Sequence, residues 1–132
     1  MSSIAGAGTV KSYQADLSDL NQVRDLARQV KADFNSLDVL INNAGVFKTP
    51  APLNADGYEV RFIVNVVAPY ILTKALLPEL GSDGRVVNLS SAAQAPVDLE
   101  GLLAKRTYSD SDAYAQSKLA ITMWTVALTA DL

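Results

Sequence analysis

The sequence predicts an α/β protein, because short apolar segments of strand length alternate along the chain with longer segments of helix length. Three such strand–helix pairs follow one another. Since consecutive parallel strands cannot be joined by a tight turn, intervening helices favour parallel strands with crossover connections. The 132 residues, of which 49% are hydrophobic, are enough for one globular domain.

The first strand–helix pair lies within residues 9–34. Residues 9–17 alternate in polarity as a short strand does, and Ser18 stands where a helix N-cap is expected. Beyond Ser18, apolar residues recur at spacings of three and four, at Leu20, Val23, Leu26, Val30 and Phe34. This spacing predicts an amphipathic helix.

The second pair has a more apolar strand and a longer helix. Leu37 to Asn42 is a continuous apolar run, as expected of a strand buried on both faces. The turn Asn42–Gly45 ends it, and a loop over residues 48–56 leads to an apolar helix from about Gly57 to Leu80. Pro69 lacks a backbone donor and predicts a kink in that helix.

The third pair begins after a turn at residues 81–84. Arg85 to Leu89 is the third predicted strand, and residues 92–110 are predicted to form an irregular connection. The last predicted helix runs from Asp112 to Asp131. In an open parallel sheet, ligands bind at the carboxyl ends of the strands, and polar clusters follow all three predicted strands there: Asp16, Asn42 to Gly45, and Ser90-Ser91.

The composition excludes several kinds of site and partner. The chain has no His and no Cys, which rules out Ser-His-Asp or Cys-His nucleophiles, thiolate or imidazole metal sites and disulfides, and no metal site is predicted. A net charge of −3 with interleaved signs gives no footprint for nucleic acid or an anionic membrane. The longest uncharged runs are shorter than the roughly 20 apolar residues of a bilayer span. We therefore expect a cytoplasmic protein with a small-molecule partner and no membrane partner.

The most informative pair of side chains is Tyr114 and Lys118. Their i, i+4 spacing places a phenol and an ammonium on one helix face, with Cβ atoms about 5–6 Å apart. An ammonium stabilises a phenolate, and such a tyrosine can exchange a proton with an alcohol or carbonyl oxygen, which contributes roughly 10²–10⁴ in rate. A surface tyrosine beside a solvated lysine is the alternative. Ser91 is either a turn residue or a hydroxyl donor to the same substrate oxygen, and Asn65 is either a structural or a functional amide.

Five motifs in this order resemble the short-chain dehydrogenases/reductases: Asp16-Leu17, Asn42-Asn43-Ala44-Gly45, Asn65 in N-V-V-A-P-Y, Val87-Asn88-Leu89-Ser90-Ser91, and Tyr114-x-x-x-Lys118. The resemblance covers nearly the whole chain from about Gly6. It implies a partial Rossmann-like three-layer fold, in which the three strands here correspond to strands 3, 4 and 5 of the family.

The resemblance also implies a reaction and its residues. The reaction is reversible hydride transfer between NAD or NADP and a carbonyl or secondary alcohol. Tyr114 would be the acid/base and would also contact the cofactor, and Lys118 would stabilise its phenolate and bind the nicotinamide ribose. Ser91 would hold the substrate oxygen, and Asn65 would organise a water. Asp16 with Leu17, and Asn43, Ala44 and Gly45, would shape the adenosine side of the cofactor site.

The sequence departs from the family pattern in three places. Ser91 and Tyr114 are 23 positions apart, so a loop is inserted beside the expected site, a pattern similar to the retinol-dehydrogenase-like branch. The glycine-rich turn that holds the cofactor pyrophosphate has no counterpart, because Gly6-Ala7-Gly8 lies too close to Asp16. The sequence also stops before the strand and loop that would cover the nicotinamide.

Residues 1–132 are therefore interpreted as a single, incomplete dinucleotide-binding domain. In the family's sheet order, strands 2 and 1 would lie between the first and second strands of this sequence, and neither has a counterpart here. Either the first strand moves beside the second, or another chain fills the gap, or the sequence is part of a longer protein, and the last explanation is favoured. The helices at residues 57–80 and 112–131 are expected to form a homodimer or homotetramer surface. The alternative function is a catalytically inactive fragment or an oligomerising protein of the same ancestry. The choice between NAD and NADP is left open.

Overall fold

The computed structural model describes residues 6, 8–130 and 132. In chain order its elements are α1 (Leu20–Asp33), β1 (Val39–Asn42), α2 (Val60–Phe62), a π-helix (Ile63–Val67), α3 (Ala68–Leu80), β2 (Arg85–Asn88), α4 (Leu99–Leu102) and α5 (Asp110–Thr129). The α2 segment, the π-helix and α3 form one continuous helical stretch. The predicted α/β class is confirmed.

Residues 8–16 are irregular and lead into a turn at residues 17 and 18, where a strand was predicted. No strand is assigned within residues 8–19, so the prediction of a strand over residues 9–17 is wrong. Alternating polarity describes one segment only, whereas a strand also needs a partner for its backbone, and β1 and β2 pair with each other. Side chains hold this segment instead, since the Tyr13 hydroxyl donates to Asp33 at 2.5 Å and the Lys11 ammonium lies 2.5 Å from the same carboxylate.

The N-cap of α1 is Asp19, so the prediction of Ser18 is also wrong. The Asp19 carboxylate accepts hydrogen bonds from the backbone N–H groups of Asn21 and Gln22, at 2.9 and 3.4 Å. The Ser18 hydroxyl interacts with the preceding turn and not with α1, since it donates to Asp16 at 2.7 Å. A carboxylate satisfies the free donors at the start of a helix as well as a hydroxyl does, and here it stands one residue closer to α1.

The predicted amphipathic face of α1 packs against α3 and forms the core. Val23 and Ala27 of α1 contact Ala68, Leu72 and Leu76 of α3, and all five are buried. Leu40 of β1 packs against this cluster from the sheet. The core thus joins the first two predicted helices to β1.

The sheet has two parallel strands, in the register Val39 to Arg85 through Asn42 to Asn88. Parallel pairing agrees with the prediction, but burial on both faces does not, because exposed and half-buried residues alternate along both strands. Val39, Ile41 and Val87 are 47%, 60% and 43% exposed. The described helices therefore cover one face of the sheet and leave an apolar face open.

The long central helix begins at Val60 rather than Gly57, and its irregularity precedes Pro69. The Ala68 N–H donates to Ile63 O, five residues back, which defines a π-turn. Because Pro69 has no N–H, it cannot donate to the Asn65 carbonyl, so the regular pattern cannot continue here. By length and composition Val60–Leu80 could cross a membrane, but core helices share these properties, and 61% of its most apolar window is buried.

The remaining boundaries differ from the prediction by a few residues. The strand β2, which was predicted as the third strand, ends at Asn88, one residue before the predicted end at Leu89. The connection over residues 92–110 contains the short helix α4, whose N-cap is Asp98. The last helix begins at Asp110 and ends at Thr129, and the predicted end at Asp131 lies outside the described residues.

Candidate active site

The carboxyl ends of β1 and β2 bring the second and third polar clusters to one edge of the sheet. The Lys118 ammonium reaches this edge from α5 and donates to the Leu89 carbonyl at 2.9 Å. A Cβ atom on Gly45 would lie 3.5 Å from the Asn65 Oδ1 and 3.6 Å from the Lys118 Nζ. Three of the predicted site residues, Gly45, Asn65 and Lys118, are therefore neighbours.

Asn65 lies in the π-turn and is 1% exposed. Its Oδ1 accepts a hydrogen bond from the Val46 N–H at 2.8 Å, and its Nδ2 donates to the Val46 carbonyl and to the Ser117 Oγ, both at 3.0 Å. The Ser117 hydroxyl in turn donates to the Tyr114 carbonyl at 2.7 Å. Asn65 thus ties the loop after β1 to the helix that carries Tyr114 and Lys118.

Tyr114 and Lys118 lie on one face of α5, as their spacing predicts. The Lys118 Nζ is 5.6 Å from the centroid of the Tyr114 ring. The ring of Phe47, in the loop after β1, packs edge-to-face on Tyr114 with centroids 5.0 Å apart. Lys118 is 5% exposed and Tyr114 is half-buried, so the phenol is held between an aromatic ring and a cation at the edge of the site.

The two serines after β2 have separate contacts. The Ser90 hydroxyl donates to the Lys118 carbonyl at 3.0 Å and is hydrogen-bonded to the Thr122 hydroxyl at 2.7 Å. The Ser91 hydroxyl accepts from the Ala93 N–H at 3.1 Å. The described hydrogen bonds of Ser91 do not reach Tyr114, so the structure places Ser91 at the correct strand end but in a local turn.

The residues predicted for the adenosine side lie in three places, one of which is the position of Gly45 beside Lys118. Leu17, Asn43 and Ala44 line one groove of about 290 Å³ between β1, α1 and α3. Asp16 is exposed and does not line this groove, and its carboxylate accepts hydrogen bonds from the Ser18 hydroxyl and the Ser18 N–H. These two bonds lower the pKa of Asp16 and keep its carboxylate directed into the turn.

Sequence reasoning missed Phe47 and a buried ion pair beside it. Arg61 is 2% exposed, and its Nε donates to Glu59 Oε1 at 2.7 Å. The only sequence signal was a Glu-Val-Arg triplet that opens an otherwise apolar helix. Charges in such a position must be paired if they are buried.

A parallel sheet packed against helices, with a tyrosine–lysine pair at the carboxyl ends of its strands, defines the class of this protein, a Rossmann-like α/β protein. Residues 2–132 match the short chain dehydrogenase family. The chain belongs to this family, which confirms the resemblance seen in the motifs.

Individual proteins that the chain resembles in sequence or in fold are themselves dehydrogenases or oxidoreductases by name. The chain is 36% identical over 124 residues to retinol dehydrogenase 13 of Mus musculus, covering 90% of this chain and 37% of the mouse protein. It is 36% identical over 127 residues to polyprenol dehydrogenase of Homo sapiens, covering 90% and 38%. Its fold matches that of a metagenomic short-chain oxidoreductase in complex with NADP, with a TM-score of 0.74, 28% identity and coverage of 97% of this chain and 55% of the other. The chain thus spans less than two fifths of the length of these two curated relatives.

Proposed function

We propose that this chain carries the catalytic segment of an NAD(P)-dependent oxidoreductase that interconverts a carbonyl compound and an alcohol, with Tyr114 as the acid/base. The observation that carries the proposal is the position of the Lys118 ammonium. It is fixed to the Leu89 carbonyl at 2.9 Å and lies 5.6 Å from the Tyr114 ring. A surface lysine would be solvated, whereas this one is buried beside the phenol.

The residues present fit the nicotinamide-ribose end of a dinucleotide. Gly45 lies close to the ammonium, since a Cβ there would be in van der Waals contact with the Lys118 Nζ at 3.6 Å, so the loop after β1 forms one side of the ammonium's surroundings. An ammonium has three donors, of which Leu89 takes one within the described part of the chain, so the other two could donate to ribose hydroxyls. Leu17, Asn43 and Ala44 offer an apolar wall farther along, and Asp16 is expected beyond them. No glycine-rich pyrophosphate turn occurs within residues 8–130.

The chemistry follows from these contacts. The bound cofactor supplies or accepts the hydride. In the reducing direction Tyr114 donates its phenolic proton to the carbonyl oxygen while the carbonyl carbon receives the hydride, and the Lys118 ammonium stabilises the phenolate that remains. Ser91 would hold the substrate oxygen by donating its O–H, because its hydrogen bond from the Ala93 N–H uses only a lone pair of the hydroxyl oxygen. Asn65 keeps Val46 and Ser117 in place and would organise a water near Lys118.

The names of the relatives support a substrate class. Retinol and polyprenol dehydrogenases are named for long apolar alcohols, and the mouse and human proteins match 90% of this chain. We therefore propose an apolar alcohol, or the corresponding carbonyl compound, as the substrate. The NADP-bound oxidoreductase supports a nicotinamide cofactor without deciding between NAD and NADP.

The test is a fluorescence titration of the chain with NADH and with NADPH, followed by turnover with apolar aldehydes. Tyr114→Phe should retain cofactor binding and lose turnover, because the ring and its packing remain and only the proton-donating hydroxyl group is removed. Tyr58→Phe is the matched control, since Tyr58 is exposed and lies outside the site. Absence of binding at millimolar cofactor would exclude the oxidoreductase function for this chain.

The second candidate function is a non-catalytic, self-associating protein of the same family. It is favoured by exposed apolar side chains on the two long helices, among them Tyr70, Met123 and Val126 at 44%, 55% and 67%. We propose a homodimer or homotetramer through residues 57–80 and 112–131. Light scattering at micromolar concentration should give a multiple of 14.0 kDa, and Val126→Lys should return the mass to that of the monomer. A wild-type monomer contradicts this proposal.

A further inference from the structure

One buried guanidinium connects three segments around Tyr114. Arg61 stands at the start of the long central helix, and its side chain is 3% exposed. Its Nη1 donates to the Phe47 carbonyl at 3.3 Å and pairs with the Asp110 carboxylate, while its Nε pairs with Glu59. Phe47 belongs to the loop after β1, and Asp110 is the first residue of α5.

Glu59 holds the guanidinium from the other side. One carboxylate oxygen accepts from the Arg61 Nε, and the other accepts from the backbone N–H groups of Arg61 and Phe62, at 3.0 and 3.2 Å. Glu59 is therefore both the N-cap of α2 and the counter-ion of Arg61. The cap fixes the carboxylate to the helix, and the carboxylate fixes the planar guanidinium in one orientation.

The two remaining partners of Arg61 are adjacent to Tyr114 in different ways. The Phe47 ring packs on the Tyr114 ring with centroids 5.0 Å apart. Asp110 lies four residues before Tyr114, one turn earlier on the same side of α5. Arg61 thus fixes the residue that covers the phenol and the helix turn that precedes it, without contacting the phenol itself.

Stability alone gives a weak reason for this arrangement. Replacing a buried ion pair by apolar residues of similar volume is often neutral or stabilising, because two charges must be desolvated. An apolar residue would fill the same space without fixing the direction of the Phe47 carbonyl or of α5. The advantage of an arginine here is geometric, since its donors diverge in a rigid plane.

We propose that Arg61 is a positioning residue for Tyr114. With Glu59 as its anchor, it holds Phe47 and the first turn of α5 so that the phenol keeps one orientation beside Lys118. The effect on turnover rests on the proposed function, whereas the effect on the orientation of Tyr114 does not.

The test uses fluorine NMR of the chain labelled with 3-fluorotyrosine. The chain has five tyrosines, and Tyr114→Phe identifies the resonance of Tyr114. Phe47→Leu removes the ring that packs on Tyr114 and calibrates the shift expected when this contact is lost. The probe variants are Arg61→Lys, which keeps the charge but loses the planar fork, and Asp110→Asn, which keeps the shape at a half-exposed position. Arg28→Lys and Asp25→Asn are matched controls on α1, where the same two residue types form an exposed pair.

Both probe variants should move the Tyr114 resonance in the direction given by Phe47→Leu. The Tyr70 ring packs on Trp124 with centroids 5.6 Å apart, and its resonance should not shift in the probe variants. The control variants should shift neither the Tyr114 nor the Tyr70 resonance. If Arg61→Lys does not fold, Asp110→Asn decides alone. A Tyr114 resonance that stays at its wild-type position in the folded probe variants overturns the proposal.

Kinetics supply the second readout. Because a small misplacement of a reacting group is costly, Arg61→Lys should lower kcat about 10- to 100-fold, with the cofactor KM changed by less than about twofold. Equal kcat values for Arg61→Lys and wild type would overturn the kinetic part of the proposal. If wild type itself shows no turnover, the proposed function fails while the fluorine experiment still decides whether Arg61 positions Tyr114.

Discussion

Replacing Asn65 by leucine tests the contact network that joins the loop after β1 to α5. Leucine has nearly the same size, so the change removes hydrogen bonds without leaving a large cavity. Three bonds are lost, two to the Val46 backbone and one to the Ser117 hydroxyl. Each contributes about 1 kcal/mol, and the half-buried Val46 N–H loses its partner, so we expect a loss of about 3–4 kcal/mol in the free energy of unfolding.

Urea denaturation measures this loss directly. Trp124 is the single tryptophan and serves as the fluorescence probe. Since small domains are stable by about 5–15 kcal/mol, the midpoint of Asn65→Leu should move to clearly lower urea. Asn21→Leu, at an exposed position on α1, is the control and should change stability by no more than about 0.5 kcal/mol. A loss below about 1 kcal/mol for Asn65→Leu would show that the network is not energetically important.

Two further predictions concern parts of the fold outside the site. Gly101→Ala places a Cβ atom 2.0 Å from the Tyr108 Cε2, so the ring must move, and we expect a loss of about 1–3 kcal/mol in the free energy of unfolding. The same movement should weaken the hydrogen bond from the Tyr108 hydroxyl that lowers the pKa of Asp98. Gly8→Ala is the control and should be neutral in the same denaturation assay, because a Cβ there meets no atom within 4 Å. Desolvation and the hydrogen bond to Asp33 raise the pKa of Tyr13 from 10.0 to about 12. The Tyr13 contact therefore stabilises the fold below pH 10 and is lost as the pH rises through about 12. The pKa of Tyr13 is measured as the difference between the tyrosinate absorbance titrations of wild type and Tyr13→Phe. In the Asp33→Asn background this pKa should return toward 10.0.

The candidate site was predictable where the rule is local. The spacing of Tyr114 and Lys118 fixes a common helix face whatever the rest of the fold does, because helix geometry is set within one turn. The loop at Gly45 was predictable because a parallel sheet gathers the carboxyl ends of its strands at one edge. Both rules need only the sequence nearby and the fold class.

The failed predictions depend on contacts between distant residues. Residues 9–17 have the alternation of a strand, but strand formation needs a pairing partner that alternation does not specify. Burial of β1 on both faces was inferred from its apolar run, yet the described helices cover one face. Arg61 could not be assigned from the sequence, because its partners Phe47 and Asp110 lie 14 and 49 residues away.

The hydrogen bond between Lys118 and the Leu89 carbonyl has a consequence for affinity. A free lysine side chain loses about 2 kcal/mol of rotamer entropy when it is fixed in one conformation. Here the chain is already ordered by the 2.9 Å bond to a strand, so that entropy loss occurs during folding and does not recur at ligand binding. A ligand hydroxyl that reaches the ammonium meets a donor already in place, and its binding free energy is not reduced by the cost of ordering the lysine side chain.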